Sequence, residues 1–118
     1  MGAAWITSNA VARAEATEMY GLIAKITSTP GRRDDLIGAL KEGTDAMPGC
    51  LSYVVAKDAV DSNILWITEV WDTAASHDGS LSLPAVKASI AKAKPLIAGF
   101  EKIAATTPAW GVGFPTKI

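Results

Sequence analysis

Along residues 19–29, MYGLIAKITST, apolar side chains recur at every second position. Tyr20, Leu22, Ala24 and Ile26 share one side, with Ile23 and Lys25 on the other. A period of two predicts a strand, because successive side chains of an extended chain point to opposite faces. The next stretch, TPGRRDDLIGALKEGTDAMPG, changes period: Leu36, Leu40, Gly43 and Met47 fall on one side of a helix. Thr29 is placed to cap that helix, Pro30 suits its first turn, and Pro48-Gly49 should stop it. Two runs rich in β-branched and aromatic residues follow, CLSYVVAKD (50–58) and ILWITEVW (64–71), on either side of AVDSN. Their spacing predicts an antiparallel hairpin. Residues 73–82 read as a loop or a short helical turn. A second main helix should begin near Ser82, with Pro84 in its first turn, and Val86, Ile90 and Ala93 or Lys94 on one face. Pro95 should break or kink it. FEKIAATT (100–107) predicts a fourth, weaker strand.

The order β-α-β-β-α-β is that of the ferredoxin-like unit, an α+β fold whose four-stranded antiparallel sheet carries both helices on one face. The strand at 64–71 has Leu65, Ile67, Glu69 and Trp71 on one side and Ile64, Trp66, Thr68 and Val70 on the other. Both sets are largely apolar, whereas a sheet with one wet face alternates more cleanly. The second face therefore calls for a cover, and a second copy of the chain is the simplest one. Residues 1–18 read as an N-terminal extension and 19–107 as the domain. Residues 108–118 form a tail whose Trp110 and Phe114 could reach across a subunit boundary.

Composition narrows the function. A chain of 118 residues with 49% hydrophobic and 19% charged residues is one ordinary globule. With 11 basic and 12 acidic residues it has no basic field to attract nucleic acid. Its single cysteine, Cys50, allows neither an internal disulfide nor a thiolate metal cluster, and fits a reducing cytoplasm. No apolar run has membrane-spanning length, no secretory signal is evident, and no phosphate-binding glycine loop is present.

The only histidine, His77, lies six residues after Trp71. It is either a surface or capping residue, or a general base at a pocket rim, since an imidazole exchanges protons near neutral pH. Glu69 shares a strand face with Trp71. It is either a strand-end carboxylate with a local partner, or an orienter of His77 beside an aromatic wall formed by Trp71. Tyr53 is either a cross-strand packing residue or a phenol donor to a ligand oxygen. Trp66 reads as interface core. Cys50 reads as a small buried apolar residue before it reads as a nucleophile.

The blocks MYGLIAKITSTPGRRDDLIGAL, PGCLSYVVAKD, ITEVWDTAASHD and LPAVKASIAKAKPLIAGF resemble, in order and spacing, those of the antibiotic biosynthesis monooxygenase family, and most of all its small bacterial quinol monooxygenase-like members. That resemblance implies a dimeric α/β barrel formed sheet to sheet. It also implies a pocket between sheet and helices, and oxidation of a quinol or a phenolic or enolic aromatic by O2 without flavin, metal or haem. Trp71 matches the family tryptophan at the end of the third strand. His77 falls where related enzymes place a polar ring residue. Ile67 stands where the anthrone-oxidising branch has an amide, which argues against an anthrone. VKASIAKAK lacks the axial histidine of the haem-degrading branch. The residue reading, which supplies Glu69 and Tyr53, and the resemblance, which supplies His77, Trp71 and Ile67, together give an expected site: His77 and Glu69 for catalysis, with Trp71, Ile67 and Tyr53 against a small aromatic or enolic substrate in a homodimer. A cofactor-free isomerase or tautomerase of a keto or sugar-like compound, or a non-catalytic ligand-binding dimer, would use the same fold.

Overall fold

The computed structural model describes residues 18–113. All but the last residue of the extension, and Phe114 of the tail, lie outside that range. The elements are β1 (Tyr20–Ser28), α1 (Arg33–Glu42), β2 (Cys50–Lys57), β3 (Ile64–Trp71), α2 (Ala74–Ser80), α3 (Pro84–Ala93), a 3-10 turn (Lys94–Leu96) and β4 (Ile97–Thr106). The four strands form one antiparallel sheet in the order β2-β3-β1-β4, which is the ferredoxin-like α+β arrangement.

Alternation along β1 and β3 sets the two faces. Leu22, Ala24, Ile26, Leu65, Ile67 and Trp71 are buried against the helices. Leu36 and Ala39 of α1 and Ala93 of α3 close the core from above. On the opposite face Ile23, Ile64, Trp66 and Val70 are half-buried, and Thr68 is exposed. The β2–β3 hairpin is tied by Asp58. One of its carboxylate oxygens accepts from the backbone N–H groups of Val60 and Asp61 (3.1 and 2.8 Å), and the other from Trp66 Nε1 (2.8 Å). The Asp61 N–H, the Trp66 indole and the Val60 N–H hold this carboxyl down at about 2.

Three boundaries differ from the sequence reading. The first helix starts at Arg33, so Thr29 does not cap it and Pro30 is not in its first turn. Instead Arg32 N donates to Thr29 O (3.0 Å), closing a tight turn around Gly31, whose φ of 75° is natural only to glycine. The Gly31 N–H is fixed by Asn63 Oδ1 (3.1 Å), far along the chain. The same helix ends at Gly43 rather than at Pro48-Gly49, leaving Met47 in the following loop. A Cβ on Gly43 would come within 2.4 Å of Ser89 Cβ, so only glycine allows α1 to end this close to α3. Beneath that contact Ser89 Oγ donates to Ala39 O (2.6 Å), a buried bond joining the two helices. Finally, β4 begins at Ile97 rather than at Phe100. Pro95 halts α3 in a single 3-10 turn, and Ile97 at once pairs with Ser28. The short turn read around His77 is helical, with Thr73 Oγ1 accepting from Ser76 N (3.1 Å) as its N-cap.

Candidate active site

Between the sheet and the helices lies a cavity of about 570 Å³. Its floor is the inward row of the sheet: Tyr20, Leu22, Ala24 and Ile26 of β1, Tyr53 of β2, Ile67, Glu69 and Trp71 of β3, and Phe100 and Lys102 of β4. Its roof is Leu40 and Gly43 at the end of α1, Thr44 and Met47 in the loop after it, and Val86, Ser89, Ile90 and Ala93 of α3. His77, Ser80 and Leu81 of α2 close one end. All five residues expected from the sequence, His77, Glu69, Trp71, Ile67 and Tyr53, line this one space.

Period two along β3 is the reason Ile67, Glu69 and Trp71 point the same way. The Trp71 ring is buried, and its Nε1–H donates to Glu69 Oε1 at 3.0 Å. The indole therefore holds the carboxylate to the wall while leaving the other oxygen unengaged by it. Burial among apolar groups pushes the Glu69 carboxyl above its ordinary value, against the lowering pull of the Trp71 N–H and of the His77 charge. A carboxylate so placed is a stronger base than one in water.

His77 reaches the cavity through ring packing. Its imidazole stands edge-on to Trp71, with centroids 5.5 Å apart, and tilted to Tyr20, at 5.3 Å. The side chain is 17% exposed, and Nδ1 lies 3.3 Å from Asp78 Oδ1, which is open to water. His77 is thus oriented by Asp78 and two aromatic rings. Glu69, expected from the sequence to orient it, is engaged by Trp71, and the His77 charge pulls its carboxyl down. Between them the two groups offer one acid–base position deep in the cavity and one linked to solvent.

Tyr53 is half-buried, and its phenol is pushed well above the usual tyrosine range by desolvation first, then by the Glu69 and Cys50 charges. It stays protonated at any ordinary pH and can act only as a neutral hydroxyl. Burial likewise pushes the Cys50 thiol up, as does the Glu69 charge, against a bond to Ser52 O at 3.6 Å. A thiol so shifted is poorly suited to nucleophilic work. Among the described residues no cluster of three or more His, Cys, Asp or Glu side chains is placed to hold a metal ion.

Sequence reasoning gave no site role to Tyr20, Lys94 or Lys102 among the lining residues. Tyr20 pairs with Trp71 across β1 and β3, so the ring beside His77 comes from a strand remote in sequence. Lys94, set by the helical spacing on one face with Val86 and Ile90, and Lys102, within the fourth strand, both border the cavity. Alternation with Phe100 inside the expected strand is the signal that could have found Lys102.

Comparison with known proteins gives a consistent picture. The family model described as antibiotic biosynthesis monooxygenase matches residues 19–92. A crystal structure of a candidate antibiotic biosynthesis monooxygenase from Chloroflexus aurantiacus is 55% identical; the match covers 82% of this chain and 99% of that one, with a TM-score of 0.79. Two others of the same description share the fold at lower identity. One, from Bacteroides thetaiotaomicron, is 21% identical over 82% of this chain and 96% of its own, with a TM-score of 0.72. The other, from Nitrosomonas europaea, is 11% identical over 80% and 93%, with a TM-score of 0.73. No curated protein matches the chain. No helix among the described residues is long and apolar enough to cross a membrane. The matched family model and the relative at 55% identity place this chain in the antibiotic biosynthesis monooxygenase family.

Proposed function

We propose that the protein is a cofactor-independent monooxygenase that oxidises a quinol or a phenolic or enolic aromatic with O2. One observation carries the reading: a single carboxylate, Glu69, stands in an otherwise largely apolar cavity, fixed by an indole N–H and made more basic by burial. The apolar walls favour a flat aromatic body, and the buried base removes the hydroxyl proton. The resulting anion is a stronger reductant than the neutral phenol and passes one electron to O2. Recombination of the two radicals at a ring carbon forms a C–O bond. Loss of that carbon's proton and cleavage of the O–O bond then give a carbonyl and water, so a hydroxynaphthalene plus O2 becomes a naphthoquinone plus water. Glu69 takes the first proton; His77, beside Asp78, exchanges protons with solvent. Tyr53 remains a neutral donor for the substrate's oxygen.

Oxygen uptake by protein freed of metal and flavin, with a panel of quinols and hydroxylated naphthalenes, tests this directly. In the same assay His77→Ala should lower kcat on the order of 10-fold, since aspartate and water can partly replace a surface-linked proton carrier. Turnover of a keto compound without oxygen uptake would move the assignment to an isomerase. Full activity in His77→Ala would remove that residue from the mechanism.

The working unit we infer is a homodimer formed through the sheet face opposite the helices. Val54 is 50% exposed there, beside half-buried Ile23, Ile64, Trp66 and Val70, more apolar surface than a solvated face of a small sheet carries. Light scattering at micromolar concentration should report the mass of two chains, and Val54→Lys should shift it toward one. A single-chain mass in the unmodified protein would end this proposal.

A further inference from the structure

The cavity is asymmetric in charge as well as in shape. Its deep wall is β3 and β1, where Ala24, Ile67 and Trp71 are almost fully buried. Its exposed apolar lining residues are Leu81 just after α2, Ile90 on α3 and Phe100 on β4, and the cavity opens along the rim they mark. Two lysines stand at this opening, Lys94 just after α3 and Lys102 on β4. Glu69 is the only acidic residue of the lining. The chain as a whole has a formal net charge of -1, so a lining with two lysines and one acid runs against the global balance.

Neither lysine has an anionic partner of its own. Lys92 pairs with Glu42 (2.7 Å) and Lys57 with Asp34 (3.1 Å), and Lys25 sits over the Trp66 ring at 5.8 Å. Lys94 and Lys102 take part in no ion pair among the described residues. A lysine at an apolar rim lays its methylene stem along the surface and holds its ammonium at the water boundary. An amphipathic ligand would meet that ammonium with whatever part of it stays outside.

The sheet register sets the distance. Lys102 pairs with Ala24, and Glu69 pairs with Leu22, one inward row further along β1. Two strand spacings across and two residues along put the two Cα atoms roughly 12 Å apart. Two fused aromatic rings bearing a polar group at each end fit that interval once the side chains reach inward.

We propose that the ligand is an aromatic hydroxy acid, its carboxylate received by Lys94 and Lys102 at the mouth and its oxidisable hydroxyl facing Glu69. This deepens the oxygenase reading and rests on it for the second half alone; the recognition of the acid by the two lysines stands on the charge distribution. Calorimetric titration of the full chain without oxygen, with 1-naphthol and with 6-hydroxy-2-naphthoic acid, separates the two. The acid should bind about 10-fold tighter than the naphthol, as two partly exposed ion pairs would provide. The preference should shrink at high salt and fall to about 1 in the Lys94→Gln/Lys102→Gln double variant. Both substitutions lie on exposed side chains, and far-UV circular dichroism checks that the variant is folded.

Equal affinity for the two compounds, binding of neither, or an undiminished preference in the double variant would each overturn the proposal. Oxygen uptake is read separately on the same samples. Tight lysine-dependent binding of the acid without uptake keeps the recognition and removes the oxygenase. Uptake with the naphthol alone and no preference for the acid does the reverse.

Discussion

Replacing Glu69 with glutamine lowers kcat/KM for oxygen-dependent turnover by about 100-fold or more, the usual weight of a positioned general base. Glutamine keeps the shape of the side chain, and its amide oxygen can still accept from Trp71 Nε1. The loss therefore reports the missing proton acceptor rather than a collapsed wall. The same variant changes stability in a direction that can be worked out. The Glu69 carboxyl lies above its ordinary value of 4.5 in the folded chain. Between the two values the folded protein holds a proton that the unfolded chain has released. The contribution of this group is then fully present below 4.5 and is lost as pH rises through the raised folded value. Glutamine does not titrate, so urea midpoints of the variant should fall less over that interval. A variant with unchanged kcat/KM would show that Glu69 is only a wall residue tied to an indole.

The second large effect is on stability. Leu65→Ala should destabilise the protein by about 3 kcal/mol, within the range for truncating a fully buried leucine. Leu65 is 0% exposed and sits on β3, a strand paired on both sides, by β2 and β1. Its neighbours Ile26, Leu36 and Ile67 belong to the sheet and to α1, and none can move into the gap without breaking register. Leu65 does not border the cavity, so the loss should appear in urea denaturation with ligand affinity nearly intact. Val60→Ala, at a residue 94% exposed in the β2–β3 turn, is the comparison, expected to cost less than about 0.5 kcal/mol. A loss below about 1 kcal/mol for Leu65→Ala would mean that the core relaxes far more than its packing implies.

Much of this architecture can be read from the letters because β1 has a period of two and β3, rich in β-branched and aromatic residues, shares its extended geometry. That period also places Glu69 beside Trp71 and both on the face that Ile67 buries. What escaped was set by contacts between remote parts of the chain. The start of α1 depends on Asn63 holding the Gly31 turn, and its end depends on Ser89 meeting Gly43. Neither partner is visible from the local sequence, where Thr29-Pro30 and Pro48-Gly49 are stronger signals. The onset of β4 was hidden because Ile97 continues the helical spacing of α3, and only pairing with β1 makes it extended. For the same reason the ring pair of Tyr20 and His77 had no local signature. The family resemblance pointed to His77; the geometry adds that its Nδ1 turns to Asp78 while Glu69 is held by Trp71.

The junction of α1 and α3 has a consequence for how such a site can diversify. Gly43 abuts Ser89, and Ser89 bonds the backbone of Ala39, so the spacing of the two roof helices is fixed by groups with almost nothing left to trim. Enlarging either residue would force the helices apart at their closest point. Met47, in the loop after α1, and Ile90, at the mouth, also face the cavity but carry no such junction. Divergence in ligand size is therefore channelled toward these two replaceable side chains, while the vault above them keeps a constant height.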